Sequence, residues 1–278
     1  MKKILVIGGT GLLGRPVAEQ LHEDGYDVRL LARDAPSVRS EFGGDYEVVA
    51  GDVTDTASLA AAMPDCDGVH ISVGGQVDQI SAENVARLAP SAGVERISYL
   101  SGSTVAEHNG WFPMVAQKLA AEKALVEGDT AYTILRPTWP MEQLPRFVVE
   151  GRATVIGEQT TPLHWFAADD LGRMVSAAYA TDLAANKRLY VHGPEGLTMK
   201  QALERYCKAV RPDIESVGAI PLEAARAAAE STGNQVLGFM AEMMAYFDQA
   251  GELGDPAEAN ELLGAPTTTL DGWIAKQG

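Results

Sequence analysis

"KILVIGGTGLLGR", residues 3–15, decides the fold. Four apolar residues, Ile4 to Ile7, read as a short buried strand, and glycines follow at 8, 11 and 14. A helix predicted near residues 12–24 comes next. A strand, a glycine-rich turn and a helix in that order form the context of a dinucleotide-binding turn. Gly8 permits a tight turn, Gly11 lets a pyrophosphate approach the backbone, and Gly14 allows close helix packing. The helix N-terminus adds N–H groups and a positive dipole end for phosphates. Gly8, Thr10, Gly11, Leu12, Leu13 and Gly14 are therefore candidate cofactor-binding residues.

Outward from this turn, strands and helices alternate. "DVRLLA" (27–32), "YEVVAGD" (46–52), "DGVHISV" (67–73), "ERISYLSG" (95–102) and "AYTILRP" (131–137) read as strands. Helices are predicted at "TASLAAAM" (56–63), at 79–92 and within "NGWFPMVAQKLAAEKALVEG" (109–128). This pitch is that of βαβ units, so the fold class is α/β, a Rossmann-like doubly wound, mostly parallel sheet with right-handed crossovers. Residues 1–137 form the NAD(P)-binding core. Residues 138–278 are a mixed segment that completes the sheet and forms a smaller C-terminal substrate lobe. There, "RATVIG" (152–157) and "RLYVHG" (188–193) read as strands. "ADDLGRMVSAAYA" (168–180) reads as a helix with Asp169 or Asp170 near its start, and "TMKQALERYCKAV" (198–210) as one capped by Thr198. Residues 221–250 read as helical with a break at "STGN" (231–234).

Composition narrows the function. The chain has 278 residues, 46% hydrophobic, with 38 acidic and 22 basic side chains and a formal net charge of -16. Such a charge disfavours a nucleic-acid surface or an anionic membrane as partner. Cys66 and Cys207 lack metal-ligand spacing and read as free thiols of a cytoplasmic protein. "MKKILVIGG" does not read as a signal peptide. No histidine, cysteine and carboxylate spacing points to a metal, and no G-x-S-x-G elbow points to a serine hydrolase.

The end of the second strand bears on cofactor choice. A cofactor lacking the 2′-phosphate is held by an acidic residue there. This chain has Ala32 and then Arg33, whose fork of donors suits a phosphate. Asp34 follows, available to ribose or to Arg33. NADP(H) is the expected cofactor, with NAD(H) as the alternative. Asp52 offers an acceptor for the adenine amino group, with Val53 packing on the ring. Taken alone, Asp52 and Asp55 equally suit a turn and a helix cap. Val73 and Gly74, with Gly75, end the fourth strand where the cofactor passes.

In the 109–128 helix, Met114, Ala121 and Leu125 share a stripe, and Lys118 lies on it. A lysine there is a catalytic group, a cofactor ligand or a snorkelling side chain. Lys123 falls on a more polar side. Trp111, Phe112, Trp139, Met141 and Trp165 form a local concentration in a chain only 6% aromatic. They suit stacking on a flat substrate or packing of the lobe. His70 lies in a strand and reads as structural.

These pieces together resemble the atypical short-chain dehydrogenase/reductase superfamily, in particular its NmrA-like NAD(P)-binding group. "GGTGLLGR", Arg33, "GDVTD", Asn84, "YLSG" and "QKLAAEKALVEGDTAYTILRPTWPME" carry the resemblance in order, with "FAADDLGRMVSAA" and "GPEGLTMKQA" beyond. It implies a nicotinamide dinucleotide, a pocket between sheet and lobe, and a lysine at Lys118 that holds the nicotinamide ribose. The superfamily's usual tyrosine position is Met114, which can neither give nor take a proton in that role. Ser101, with Ser103 near it, stands where a serine orients a substrate oxygen. The resemblance also returns "TPLHWF" to the pocket, making His164 a candidate for proton transfer. The expected function is NADPH-dependent reduction of a small carbonyl, quinone or activated double bond without the usual tyrosine. The alternative is an NADP(H)-sensing regulatory protein with a protein partner.

Overall fold

The computed structural model describes residues 2–277. They divide into two compact units. Among the described residues the first comprises 2–137, 168–191 and 255–266, and the second 138–167, 192–254 and 267–277.

In the first unit the strands are β1 (Lys3–Ile7), β2 (Asp27–Ala32), β3 (Glu47–Ala50), β4 (Gly68–Ile71), β5 (Arg96–Leu100), β6 (Ala131–Pro137) and β10 (Lys187–Val191). Its helices are α1 (Gly14–Glu23), α2 (Ala35–Phe42), α3 (Thr56–Ala62), α4 (Asp78–Ala92), α5 (Pro113–Glu127), α6 (Ala168–Ala180) and α10 (Ala257–Leu263). All seven strands run parallel in the order β10-β6-β5-β4-β1-β2-β3. The order reverses direction at β1, so the crevice beyond the ends of β1 and β4 is the switch point where such sheets bind ligands.

Alternation along the strands defines two buried faces. Val69, Ile71, Ile97 and Tyr99 join Leu59, Val85 and Leu125 of α3, α4 and α5 in one apolar cluster. His70 and Ser98, paired in register, point the other way. There the Ser98 hydroxyl lies 2.6 Å from His70 Nδ1 and 2.9 Å from the Tyr179 hydroxyl of α6. Burial pushes the His70 pKa down to about 3, which keeps the imidazole neutral. His70 is a core residue, as its strand position predicts.

Two local features differ from expectation. Helix α1 begins at Gly14 rather than near residue 12. Helix α2 adds to the predicted elements: Asp34 caps it by accepting the Ser37 N–H at 3.1 Å, and Pro36 lies in its first turn. A capping carboxylate and an early proline are strong local start signals.

The second unit has β7 (Val148–Val149), β8 (Arg152–Ile156), β9 (Leu163–Trp165), β11 (Glu195–Leu197) and β12 (Val217–Ile220). With them are α7 (Met199–Val210), α8 (Leu222–Thr232), α9 (Gln235–Ala250) and α11 (Leu270–Ile274). The strands form a three-stranded sheet, β12-β8-β7, and the pair β11-β9. Thr198 and Gln201 form a reciprocal capping box at α7, which satisfies two otherwise orphaned N–H groups. The helical stretch breaks at Gly233, left-handed with φ +67°, and Asn234 caps the next helix. No helix among the described residues is long and apolar enough to cross a membrane.

Candidate cofactor and lysine site

The glycine turn is a close backbone crossing. Gly8 has φ +86°, and a Cβ there would lie 2.2 Å from the Ser72 carbonyl oxygen at the end of β4. A Cβ on Gly14 would lie 2.1 Å from the Gly8 carbonyl oxygen. Neither position accepts a side chain, so α1 starts directly against the turn. The Gly11 N–H donates to the Gly8 carbonyl at 2.9 Å. Across the switch point, Cβ atoms on Gly74 and Gly75 would meet nothing within 4 Å. Bare backbone facing open space beside a helix N-terminus fits a dinucleotide pyrophosphate.

Further along the same edge, Arg33 is exposed directly after β2. Asp34 is engaged as the α2 cap. Arg15 pairs with Glu19 and Glu41 and lies over the Phe42 ring at 4.4 Å. The Asp52 carboxylate accepts from the Thr54 N–H at 2.8 Å and from its hydroxyl at 2.7 Å. These bonds, helped by the Arg33 charge, hold its pKa below the usual value. Asp55 caps α3. Buried Asn84 of α4 donates to the Val53 carbonyl at 2.8 Å, which fixes the loop after β3. Val73 packs at the edge of the adjoining apolar cluster.

Lys118 projects from α5 into a polar cluster. Its Nζ donates to Asp78 Oδ2 at 2.7 Å and to the Leu100 carbonyl at 3.0 Å, and lies 3.4 Å from the Tyr99 hydroxyl. Tyr99 donates to Asp78 Oδ1 at 2.8 Å. Asp78, the first residue of α4, thus has both oxygens occupied. Burial first, and then the Asp78 charge, raise the Tyr99 pKa well above its ordinary value. This phenol stays protonated and is committed as a donor. On the helix itself, Val115, Ala121, Glu122 and Leu125 are buried and Met114 only partly so. Lys118 is a partly buried lysine fixed by a carboxylate, and that carboxylate had no signal in the sequence. Asp78 lies 40 residues upstream in a loop-to-helix junction.

Ser101 belongs to a second network. Its hydroxyl donates to Glu122 Oε1 at 2.5 Å. The same carboxylate receives Arg136 at 2.6 and 2.9 Å and Arg188 at 2.9 Å. Arg136 also donates to the Tyr190 hydroxyl at 2.8 Å. Two guanidinium groups and a hydroxyl around one buried carboxylate leave no oxygen unpaired. Ser103 is buried, its N–H donating to the Pro137 carbonyl at 2.9 Å.

Trp111 is exposed, and Phe112 is buried behind it, with ring centroids 5.9 Å apart. Trp139, Met141 and Trp165 belong to the buried core of the second unit, with Leu203 and Met244. His164, on β9, points its ring at Glu252, 2.6 Å from Nδ1 to the carboxylate.

Residues 8–183 match the NAD(P)H-binding family, and the chain belongs to it. It is an NAD(P)H-binding protein with a Rossmann-like parallel sheet. Among curated proteins it is 26% identical to the NAD(P)H azoreductase of Xenophilus azovorans, over 83% of this chain and 81% of that one. It is 22% identical to the photosystem II assembly factor Ycf39 of a Synechocystis strain, over 94% of this chain and 80% of that one. The NADPH complex of an NADPH-dependent quinone oxidoreductase from Escherichia coli superposes with a TM-score of 0.80, at 21% identity and 99% coverage of both chains.

Proposed function

We propose that this chain is an NADPH-dependent reductase that passes hydride to a quinone or a similarly conjugated acceptor. The observation that carries the reading is that the phenol beside Lys118 is not free to act as an acid. Met114 occupies the helical position one turn before the lysine, and Tyr99 is buried and bonded to Asp78. Reducing a simple ketone creates a localised alkoxide that needs a strong, close proton donor. A quinone spreads the incoming charge over a conjugated ring and can take the one remaining proton from water. When bound, the nicotinamide supplies the hydride. The protein's part is to bind, orient and shield.

The glycine turn would hold the pyrophosphate and Arg33 the 2′-phosphate. Engagement of Asp34 as a helix cap supports NADP(H), because one oxygen of this carboxylate is already committed to the Ser37 N–H. Lys118 would meet the nicotinamide ribose. Its longest contact, 3.4 Å to Tyr99, is the donor most readily redirected to a ribose hydroxyl. Azo dyes form a related acceptor class, in keeping with the azoreductase likeness.

A second reading, a protein that binds NADP(H) as a signal with little turnover, is favoured by Met114 and by the similarity to an assembly factor. Steady-state NADPH consumption across a panel of quinones, azo dyes and aldehydes separates the two. The reductase reading expects saturable turnover with quinones and little with aldehydes. Tight NADPH binding with no acceptor consumed would establish the sensor instead.

A further inference from the structure

The second unit carries a side-chain cluster that the reductase reading does not use. One ring nitrogen each from His164 and His192 and a carboxylate oxygen of Glu252 all lie within 4.8 Å of one another. It is the one such group of three or more histidine, cysteine or carboxylate side chains found among the described residues. We propose that it binds a divalent transition-metal cation such as Zn2+ through two imidazoles and one carboxylate, leaving a fourth position for water.

The donor set matches the chemistry of such ions. Two histidines and a glutamate with an open position form a familiar zinc arrangement, with bonds near 2.0–2.2 Å. Two imidazoles on one tetrahedral ion have ring centres about 5–5.5 Å apart by those bond lengths. Here the centres are 5.7 Å apart, close to that separation, and the ligand atoms lie within 4.8 Å of one another. The His192 Nε2 donates to the Leu253 carbonyl at 3.2 Å. A carbonyl only accepts, so the proton of the neutral ring is on Nε2 and Nδ1 carries the lone pair. A histidine oriented by a backbone carbonyl in this way is the usual support for a metal ligand.

His164 and Glu252 are linked at 2.6 Å through Nδ1. Ligand atoms on one tetrahedral ion lie about 3.3 Å apart. Cation binding therefore replaces this hydrogen bond and opens the pair by under an ångström. Gly196 stands opposite His164 in the β11–β9 pair; a Cβ there would press on Nε2 at 3.3 Å, so the glycine lets the ring lie close against β11. The other Glu252 oxygen accepts the His164 backbone N–H, which keeps the carboxylate in place while the ring turns. The His164 side chain is 45% exposed, so a hydrated cation has access. His164 and Glu252 are 88 residues apart, which is why sequence spacing gives no sign of the cluster.

The test uses the full chain, freed of metal with a chelator and titrated with Zn2+ by calorimetry. One ion per chain is expected, with affinity at least tenfold weaker in both His192→Ala and Glu252→Gln. Glu252 also supports the β9 backbone, so that variant could fold poorly. Co2+ added to the unsubstituted protein supplies a readout that needs no substitution. Intense visible bands of a four-coordinate cobalt site support the proposal. The weak spectrum of hydrated Co2+, no saturable Zn2+ binding, or unchanged affinity in either folded variant overturns it.

Discussion

Lys118 and Asp78 form a 2.7 Å ion pair that joins the middle of α5 to the first residue of α4. The Asp78 side chain is 2% exposed and that of Lys118 15%. Breaking a buried pair from one side leaves an uncompensated charge and costs about 3–5 kcal/mol when burial is complete. For Asp78→Asn, with the lysine partly wetted, a loss of about 2–3 kcal/mol is expected. The released lysine would also be misplaced for the ribose, raising KM for NADPH about tenfold. Urea denaturation and cofactor kinetics measure both effects. Unchanged stability together with an unchanged KM would show that the pair positions nothing.

Arg33 should discriminate between the two nicotinamide dinucleotides. A charged hydrogen bond is worth about 1.5–3 kcal/mol, so Arg33→Ala should weaken NADPH binding roughly 10–100-fold. NADH binding should change little. Fluorescence titration of both cofactors reads the ratio directly, and equal losses for the two would refute a phosphate contact.

The glycine turn makes a steric prediction. The Gly14 Cβ would meet the Gly8 carbonyl oxygen at 2.1 Å, a backbone atom with no freedom to rotate away. Gly14→Ala should shift the start of α1 and abolish measurable NADPH binding, with about 1–3 kcal/mol of overpacking strain. Wild-type affinity in this variant would contradict the close approach.

His70 gives the chain a pH-dependent stability term. Its pKa is about 3 when folded and about 6.5 when unfolded. Between those values the unfolded state binds the extra proton, so stability rises with pH. The contribution is complete above pH ~6.5 and is lost toward pH ~3 at about 1.4 kcal/mol per unit. Replacement by asparagine, His70→Asn, should flatten that slope in denaturation curves. A slope identical to that of the unsubstituted protein would place the titration elsewhere.

Much of the core was legible because its signals are local. Glycines at 8, 11 and 14 announce the turn, and the strand runs before and after it carry their own periodicity. "STGN" marks a helix break because glycine accepts the left-handed conformation and asparagine caps the next helix. Asp78 was not legible, nor the gathering of Arg136, Arg188 and Ser101 around Glu122, because tertiary structure alone brings those charges together. The tryptophans show another limit. Trp139 and Trp165, with ring centroids 5.9 Å apart in the core of the second unit, have the composition of either a pocket rim or a packed core. Nothing in their spacing separates the two. Asp34 is the converse case: Pro36 and Ser37 mark it as a cap, while its place after Arg33 suits a ribose contact equally well.

In the reductase reading one NADPH molecule lies along the sheet edge with its nicotinamide ribose at Lys118. A crystal structure of the NADPH complex tests it most directly. The expected result is a ribose hydroxyl within hydrogen-bond distance of Lys118 Nζ, the Asp78 pair intact and the Tyr99 contact lengthened. A complex in which Lys118 keeps all three protein contacts and the ribose lies out of its reach would contradict the account.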